Sequence, residues 1–199
     1  MKIKNNENLK DCAACGGSCC KALPGSFWPS DFEDIEKEVL DGLVRGDFSI
    51  DWYESDPRAN VFELDCCYYV RMRVKDCDKV YDPSWGGECK FLTVKGCALP
   101  FEKRAHDCKA LIPKFDYKEK RSKCTGETEK RETALKWVKY QGMLDRIGDL
   151  AKNKIKSNKW ISKRDEMHEI RRSINPWSTA LRGSAIFYRF GASRALNDF

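Results

Sequence analysis

With 199 residues, the chain has room for one ordinary domain or for a small domain with an extension. A mean hydropathy of −0.65 and 34% charged residues leave only a modest core, while 12% aromatic residues argue against wholesale disorder. The net charge is +6, and no apolar run approaches the ~20 residues that cross a bilayer, which excludes a helical membrane protein.

The charge is unevenly distributed. Residues 1–113 carry 16 Lys and Arg against 20 Asp and Glu, whereas residues 114–199 carry 21 against 11. Ten of the 11 cysteines lie in the acidic part, and only Cys124 lies beyond it. The expected organisation is a cysteine-rich module over residues 1–117 followed by a basic extension over residues 118–199. No internal repeat or low-complexity tract interrupts this plan.

The first residues, Met1-Lys-Ile-Lys-Asn-Asn-Glu-Asn8, contain no apolar stretch of the signal-peptide type, so a reducing, cytoplasmic setting is expected. The run Asp11-Cys-Ala-Ala-Cys-Gly-Gly-Ser-Cys-Cys20 follows, with further cysteines at Cys89, Cys97 and Cys108. Thiolates are good ligands for zinc and for iron–sulfur clusters, and a Cys-x-x-Cys turn aims two sulfurs at one centre. Gly16 and Gly17 suit that turn, because they tolerate positive φ and let backbone N–H groups approach sulfur. An odd number of cysteines also weighs against a pure disulfide scaffold. Neighbouring residues of an extended chain point to opposite sides, so Cys19 and Cys20 are not expected to bind one ion together unless the backbone turns sharply.

Ser30-Asp-Phe-Glu33 has the form of a capping box and predicts a helix from about Asp31 to Val44, with Phe32, Ile35, Val39, Leu40 and Leu43 on one face and Gly46 at its end. The stretch from Asp47 to Asn60, with Asp56-Pro57, reads as turns. Tyr68 to Val74 alternates bulky residues with Arg71 and Arg73, the pattern of a half-buried strand. After the turn Asp82-Pro-Ser-Trp-Gly-Gly87, Lys90 to Val94 reads as a second strand. A hairpin of the two would return Cys89 and Cys97 to the N-terminal cysteines. Cys66, Cys67, Cys77 and Cys124 fit best as small buried hydrophobes.

The second half reads as helical. Leu135, Val138, Leu144, Ile147, Leu150, Ala151 and Ile155 form an approximate stripe from about Glu129 to Ile155, weakened by Gly142 and Gly148. A basic run then includes Lys152, Lys154, Lys156, Lys159, Lys163 and Arg164, and Ser162 can cap another helix through Arg172, stopped by Asn175-Pro176. The segment from Pro176 to Phe199 mixes aromatic residues with arginines. The predicted class is therefore α+β: a small, irregular, metal-stapled module with a short hairpin and a helix, then a mainly helical basic extension.

Three segments in this order resemble the CxxCxxCC cysteine-cluster family, also called the YkgJ-like zinc- or iron-chelating family. They are Cys12 to Cys20 with the acidic stretch near Ser30 to Ile35, Cys89-Lys-Phe-Leu92 leading to Gly96-Cys97, and Arg104 with Cys108-Lys109 and Pro113. The chain departs from the family pattern in having three residues between Cys15 and Cys19, Ala105 for proline, Lys109 for arginine and a long insertion between the clusters. The resemblance covers about Asp11 to Pro113. It implies metal binding through Cys12, Cys15, Cys19, Cys20, Cys89, Cys97 and Cys108, as zinc or an iron–sulfur cluster, and one relative is a flagellin lysine methylase.

The chemistry of the residues themselves leaves both metals open. Cys₄ zinc sites are common structural staples, whereas thiolates without a clear His partner suit a [4Fe–4S] cluster, which is the expected cofactor with zinc as the alternative. With only His106 and His168, and no phosphate-binding glycine loop, no catalytic constellation is legible and no reaction can be named. The expected function is an intracellular metal-binding protein using its centre structurally or for redox. The alternative is a metal-stapled adaptor whose basic half binds nucleic acid or a protein machine. A protein lysine methylase is a third reading, by analogy alone, and no membrane association is expected because no broad apolar helix face accompanies the charge.

Overall fold

The computed structural model describes residues 16–54, 66–82, 86–116, 121–125 and 130–174. It is a mixed α+β structure with three two-stranded antiparallel pairs among the described residues, helices before and after them, and a helical C-terminal part. Described residues up to Ile155 form one compact unit, and those from Lys156 form a second.

The first helix, α1 (Ser18–Ala22), is a single turn following Gly16 and Gly17, whose φ angles of 64° and 72° are those glycine adopts without cost. The next, α2 (Ile35–Arg45), begins four residues later than the capping-box pattern suggests. Asp34, not Ser30, is its cap and accepts from the Lys37 amide at 3.0 Å, while Glu38 accepts from the amides of Glu33 and Asp34 at 2.8 Å each. Asp31 has other partners: its Oδ2 accepts from the amides of Trp28 and His106, and its Oδ1 from Lys109 Nζ. The helix ends at Gly46, as expected.

The segment read as turns contains a strand, β1 (Phe48–Tyr53), which pairs antiparallel with β2 (Cys67–Met72) from Phe48↔Met72 to Tyr53↔Cys67. Asp56-Pro57 lies outside the described residues. Every residue of β2 is buried, so the half-buried pattern of Tyr68 to Val74 does not hold. Arg71 of β2 and Arg73 just beyond it are buried because each finds acceptors there. Arg73 donates to the carbonyls of Phe48 (2.8 Å) and Leu43 (3.2 Å), and Arg71 enters the ionic network described below.

The hairpin near Cys89 also differs in its partners. Here β3 (Leu92–Thr93) pairs with β4 (Gly96–Cys97), and the tie to Tyr68–Val74 is one antiparallel bridge, Val74↔Cys89, flanked by Lys75 N to Glu88 O (2.8 Å) and Lys90 N to Arg73 O (3.0 Å). After the short helix α3 (His106–Ala110) come β5 (Ile112–Asp116) and β6 (Arg121–Thr125), a hairpin that the helical reading of the extension omits.

Two helices complete the described chain: α4 (Lys130–Lys136) and, after a 3-10 turn at Val138–Tyr140, α5 (Gln141–Ile174). Ser162 does not start a new helix; α5 runs through it for 34 residues. The core of the first unit joins Val39 and Leu43 of α2, Ile50 of β1, Val70 and Met72 of β2, and Trp137, Leu144, Ile147 and Ala151 from the later helices. Trp137 Nε1 donates to the Phe27 carbonyl at 2.8 Å. Gly148 has a packing reason: a Cβ there would stand 2.2 Å from the Tyr81 hydroxyl, which crosses α5 to donate to the Asp145 carbonyl at 3.0 Å.

Candidate metal centre

Cys12 and Cys15 lie outside the described residues. The other five sequence-predicted ligands stand on four separate pieces of backbone that converge. Cys19 and Cys20 sit on α1, and their Sγ atoms are 3.9 Å apart. Successive helical residues are ~100° apart around the axis, so the helical turn brings together two sulfurs that an extended chain would send to opposite sides.

Backbone hydrogen bonds fasten the later cysteines to this turn. The Cys89 amide donates to the Cys20 carbonyl at 2.7 Å, and the Gly87 amide to the Ala22 carbonyl at 3.1 Å. The Cys89 carbonyl in turn accepts from the Leu92 amide at 3.0 Å, at the base of the hairpin whose far strand holds Cys97 opposite Leu92. Leu92 packs on Gly17 so closely that a Cβ there would be 2.4 Å from Leu92 Cδ1.

Cys108 is delivered by α3. The Asp107 carboxylate accepts from the Ser26 amide at 3.1 Å and the Asp107 amide donates to the Ser26 carbonyl at 3.2 Å, which holds the helix beside residues 25–26. Gly25 is the cradle for the sulfur, since a Cβ at that position would lie 2.2 Å from Cys108 Sγ. Burial pushes the Asp107 carboxyl up to about 6.

The thiols are electrostatically coupled. The Cys20 thiol is raised far above the ordinary range by its hydrogen bond with Cys19, then by burial and by the sulfurs of Cys19, Cys108 and Cys89. Cys108 is raised by burial and then by Cys89, Cys97, Asp107 and Cys19. Burial also raises Cys89; the Phe91 amide opposes it, Cys97 and Cys19 add to it, and the Arg71 guanidinium opposes it. Buried sulfurs in this arrangement resist ionising one beside another, and a bound cation relieves that repulsion as it displaces their protons.

The fit to a metal can be tested on this donor set. Two thiolates on one tetrahedral zinc, with Zn–S of ~2.3 Å, lie about 3.8 Å apart, and the Cys19–Cys20 separation of 3.9 Å matches that edge. A [4Fe–4S] cluster places one thiolate on each iron, so it would take four of the seven candidate cysteines, with no more than one member of this pair on any one iron. Among the described residues, no three His, Cys, Asp or Glu side chains stand in position to hold an ion together. The side chains are thiols, the donors that zinc and iron–sulfur clusters take, and the described geometry brings together the Cys19–Cys20 pair but not a full ligand set.

The remaining candidates have other surroundings. His106 stacks on Trp28 with ring centroids 3.6 Å apart and planes 8° apart, and burial lowers its pKa. The side chain of His168 is not described. Cys66 and Cys67 are buried with the core, whereas Cys77 is half-buried, its Sγ donating to Asp82 Oδ2 at 3.3 Å.

One group near the thiols was not legible as a site residue. Arg71, fully buried, pairs with Asp51 through Nε at 2.7 Å and with Asp82 through Nη2 at 3.0 Å, and Tyr69 donates to the same Asp51 oxygen at 3.0 Å. Burial raises Asp51 despite the opposing Arg71 charge. The signal was present in β2, where an arginine sits among Tyr69, Val70 and Met72, but its partners are 20 and 11 residues away. No helix among the described residues is long and apolar enough to cross a membrane. Compared with protein-family models, curated protein sequences and solved structures, the chain matches none of them.

Proposed function

We propose that the chain is a cytoplasmic metal-binding protein whose clustered thiols hold an iron–sulfur cluster, used structurally or for electron transfer. The observation that carries this reading is the convergence of Cys19, Cys20, Cys89, Cys97 and Cys108 from separate segments around the Cys89–Cys20 backbone hydrogen bond. Their number, and the engagement of His106 with Trp28, support an all-thiolate centre. The resemblance to the cysteine-cluster family points the same way, with Cys12 and Cys15 completing the set. A second reading, a zinc staple, is supported by the 3.9 Å Cys19–Cys20 spacing.

Metal analysis of anaerobically purified protein distinguishes the two. Iron with acid-labile sulfide and broad absorbance near about 400 nm is the expected result for a cluster. Colourless protein with stoichiometric zinc would establish the staple instead, and protein retaining neither metal overturns both readings.

A further inference from the structure

Within the second compact unit, the uninterrupted course of α5 sorts its charges. Lys156, Lys159, Lys163 and Arg164 recur at i, i+3, i+7 and i+8, which places them on one side of the helix over about 12 Å of its axis. Trp160 and Met167 lie on the same side, 67% and 48% exposed. Asp165 and Glu169 fall on the other, while Glu166, at i+7 from Lys159 and i+3 from Lys163, borders the cationic stripe. A helix break at Ser162 would have divided this arrangement; the continuous helix makes it a single surface.

We infer that this face of α5 binds single-stranded nucleic acid, the lysines tracking phosphates and Trp160 stacking on a base. This is independent of the metal centre. Two physical features select that partner. The cations and the aromatic ring share one side, whereas a helix lying on a membrane opposes its cationic and apolar faces. The Arg164 guanidinium lies over the Trp160 ring at 5.9 Å, a cation–π pair that braces the indole and leaves most of its surface exposed for a base. The carboxylates nearest the face are Glu166 at its edge and Asp165, which Arg164 Nε reaches at 4.0 Å.

The test is fluorescence anisotropy of a labelled oligothymidylate of about 20 nucleotides with the full chain, titrated with salt. Four phosphate contacts predict a log–log salt slope near −3. Lys156→Gln/Lys159→Gln/Lys163→Gln should flatten the slope toward about −1 and weaken low-salt binding at least ~10-fold. Trp160→Ala should weaken binding by about an order of magnitude with the slope unchanged. Circular dichroism verifies that both variants keep their helix. Absence of binding at low salt, or affinity indifferent to the three lysines, overturns the inference. So does binding of polyglutamate or phosphatidylserine vesicles through the same lysines in place of the oligonucleotide.

Discussion

Cys89 and Cys20, 69 positions apart in the chain, are joined through their main chains: the amide of one donates to the carbonyl of the other at 2.7 Å. The contact does not depend on the sulfurs, so backbone pairing brings the two segments together and the side chains can change without losing it. Serine at either position should therefore preserve the fold of the metal-free protein while removing a ligand. Cys20→Ser and Cys89→Ser are expected to lose metal, as are Cys12→Ser and Cys15→Ser, whereas Cys124→Ser retains it. Metal-to-protein ratios across the series check this, and full retention in Cys89→Ser would contradict the proposed centre.

Metal removal should destabilise the first unit far more than it disturbs the distal part of α5. Structural thiolate sites contribute on the order of 10 kcal/mol in isolated modules, comparable with the whole stability of a small domain. Chelation should lower the thermal midpoint by tens of degrees, read by near-ultraviolet circular dichroism. An unchanged midpoint would mean that the thiols are not linked to folding through a metal.

Gly25→Ala places a methyl group where the Cys108 sulfur sits. The sulfur is held from behind by α3, which Asp107 ties to Ser26, so it cannot retreat without moving that helix. A cost of about 1–3 kcal/mol is expected from such overpacking. Denaturant unfolding measures the cost, and a parallel fall in metal occupancy would tie it to Cys108 rather than to general strain.

Replacing Arg71 by Met leaves Asp51 and Asp82 buried without their cation. Loss of one partner from a buried ion pair typically costs about 3–5 kcal/mol, more than the pair itself contributes over apolar replacement. Urea unfolding of Arg71→Met should show this loss near neutral pH. Part should be recovered at acid pH, where protonation of the stranded carboxylates removes their charge; a loss independent of pH would point to packing alone.

Gly148→Ala reverses the usual effect of that substitution. In an open helix it stabilises by up to ~1 kcal/mol, but here the methyl group meets the Tyr81 ring. Destabilisation is expected in the same urea assay, while Gly142→Ala, with nothing within 4 Å of its added carbon, should stabilise.

The elements that were legible share a local cause. The Gly16-Gly17 turn, the end of α2 at Gly46 and the helical character of residues 141–155 are dictated by residues within a few positions. The strand β1 escaped because Asp51 looks like turn chemistry until its distant partner Arg71 is known. The same pairing inverted the reading of residues 68–74, where Arg71 of β2 and the following Arg73 belong inside only because Asp51 and Asp82, and the carbonyls of Leu43 and Phe48, are there to receive them. Asp31 was legible as an acid at a helix start, yet the helix it serves is α3, 75 residues on. At the cysteines, spacing identified which residues to watch, but the angle between Cys19 and Cys20 required knowing that the chain coils there.

The bond from Trp137 to the Phe27 carbonyl sets an order of events during synthesis. The N-terminal cysteines leave the ribosome more than a hundred residues before the indole that anchors the segment beside them, and Leu144 and Ile147 emerge later still. Until then the thiols belong to an unfinished domain, exposed to oxidation and to stray metals. Selective loading of the proposed centre would thus be a task for the completed chain, or for a carrier that protects the thiols while the rest is made.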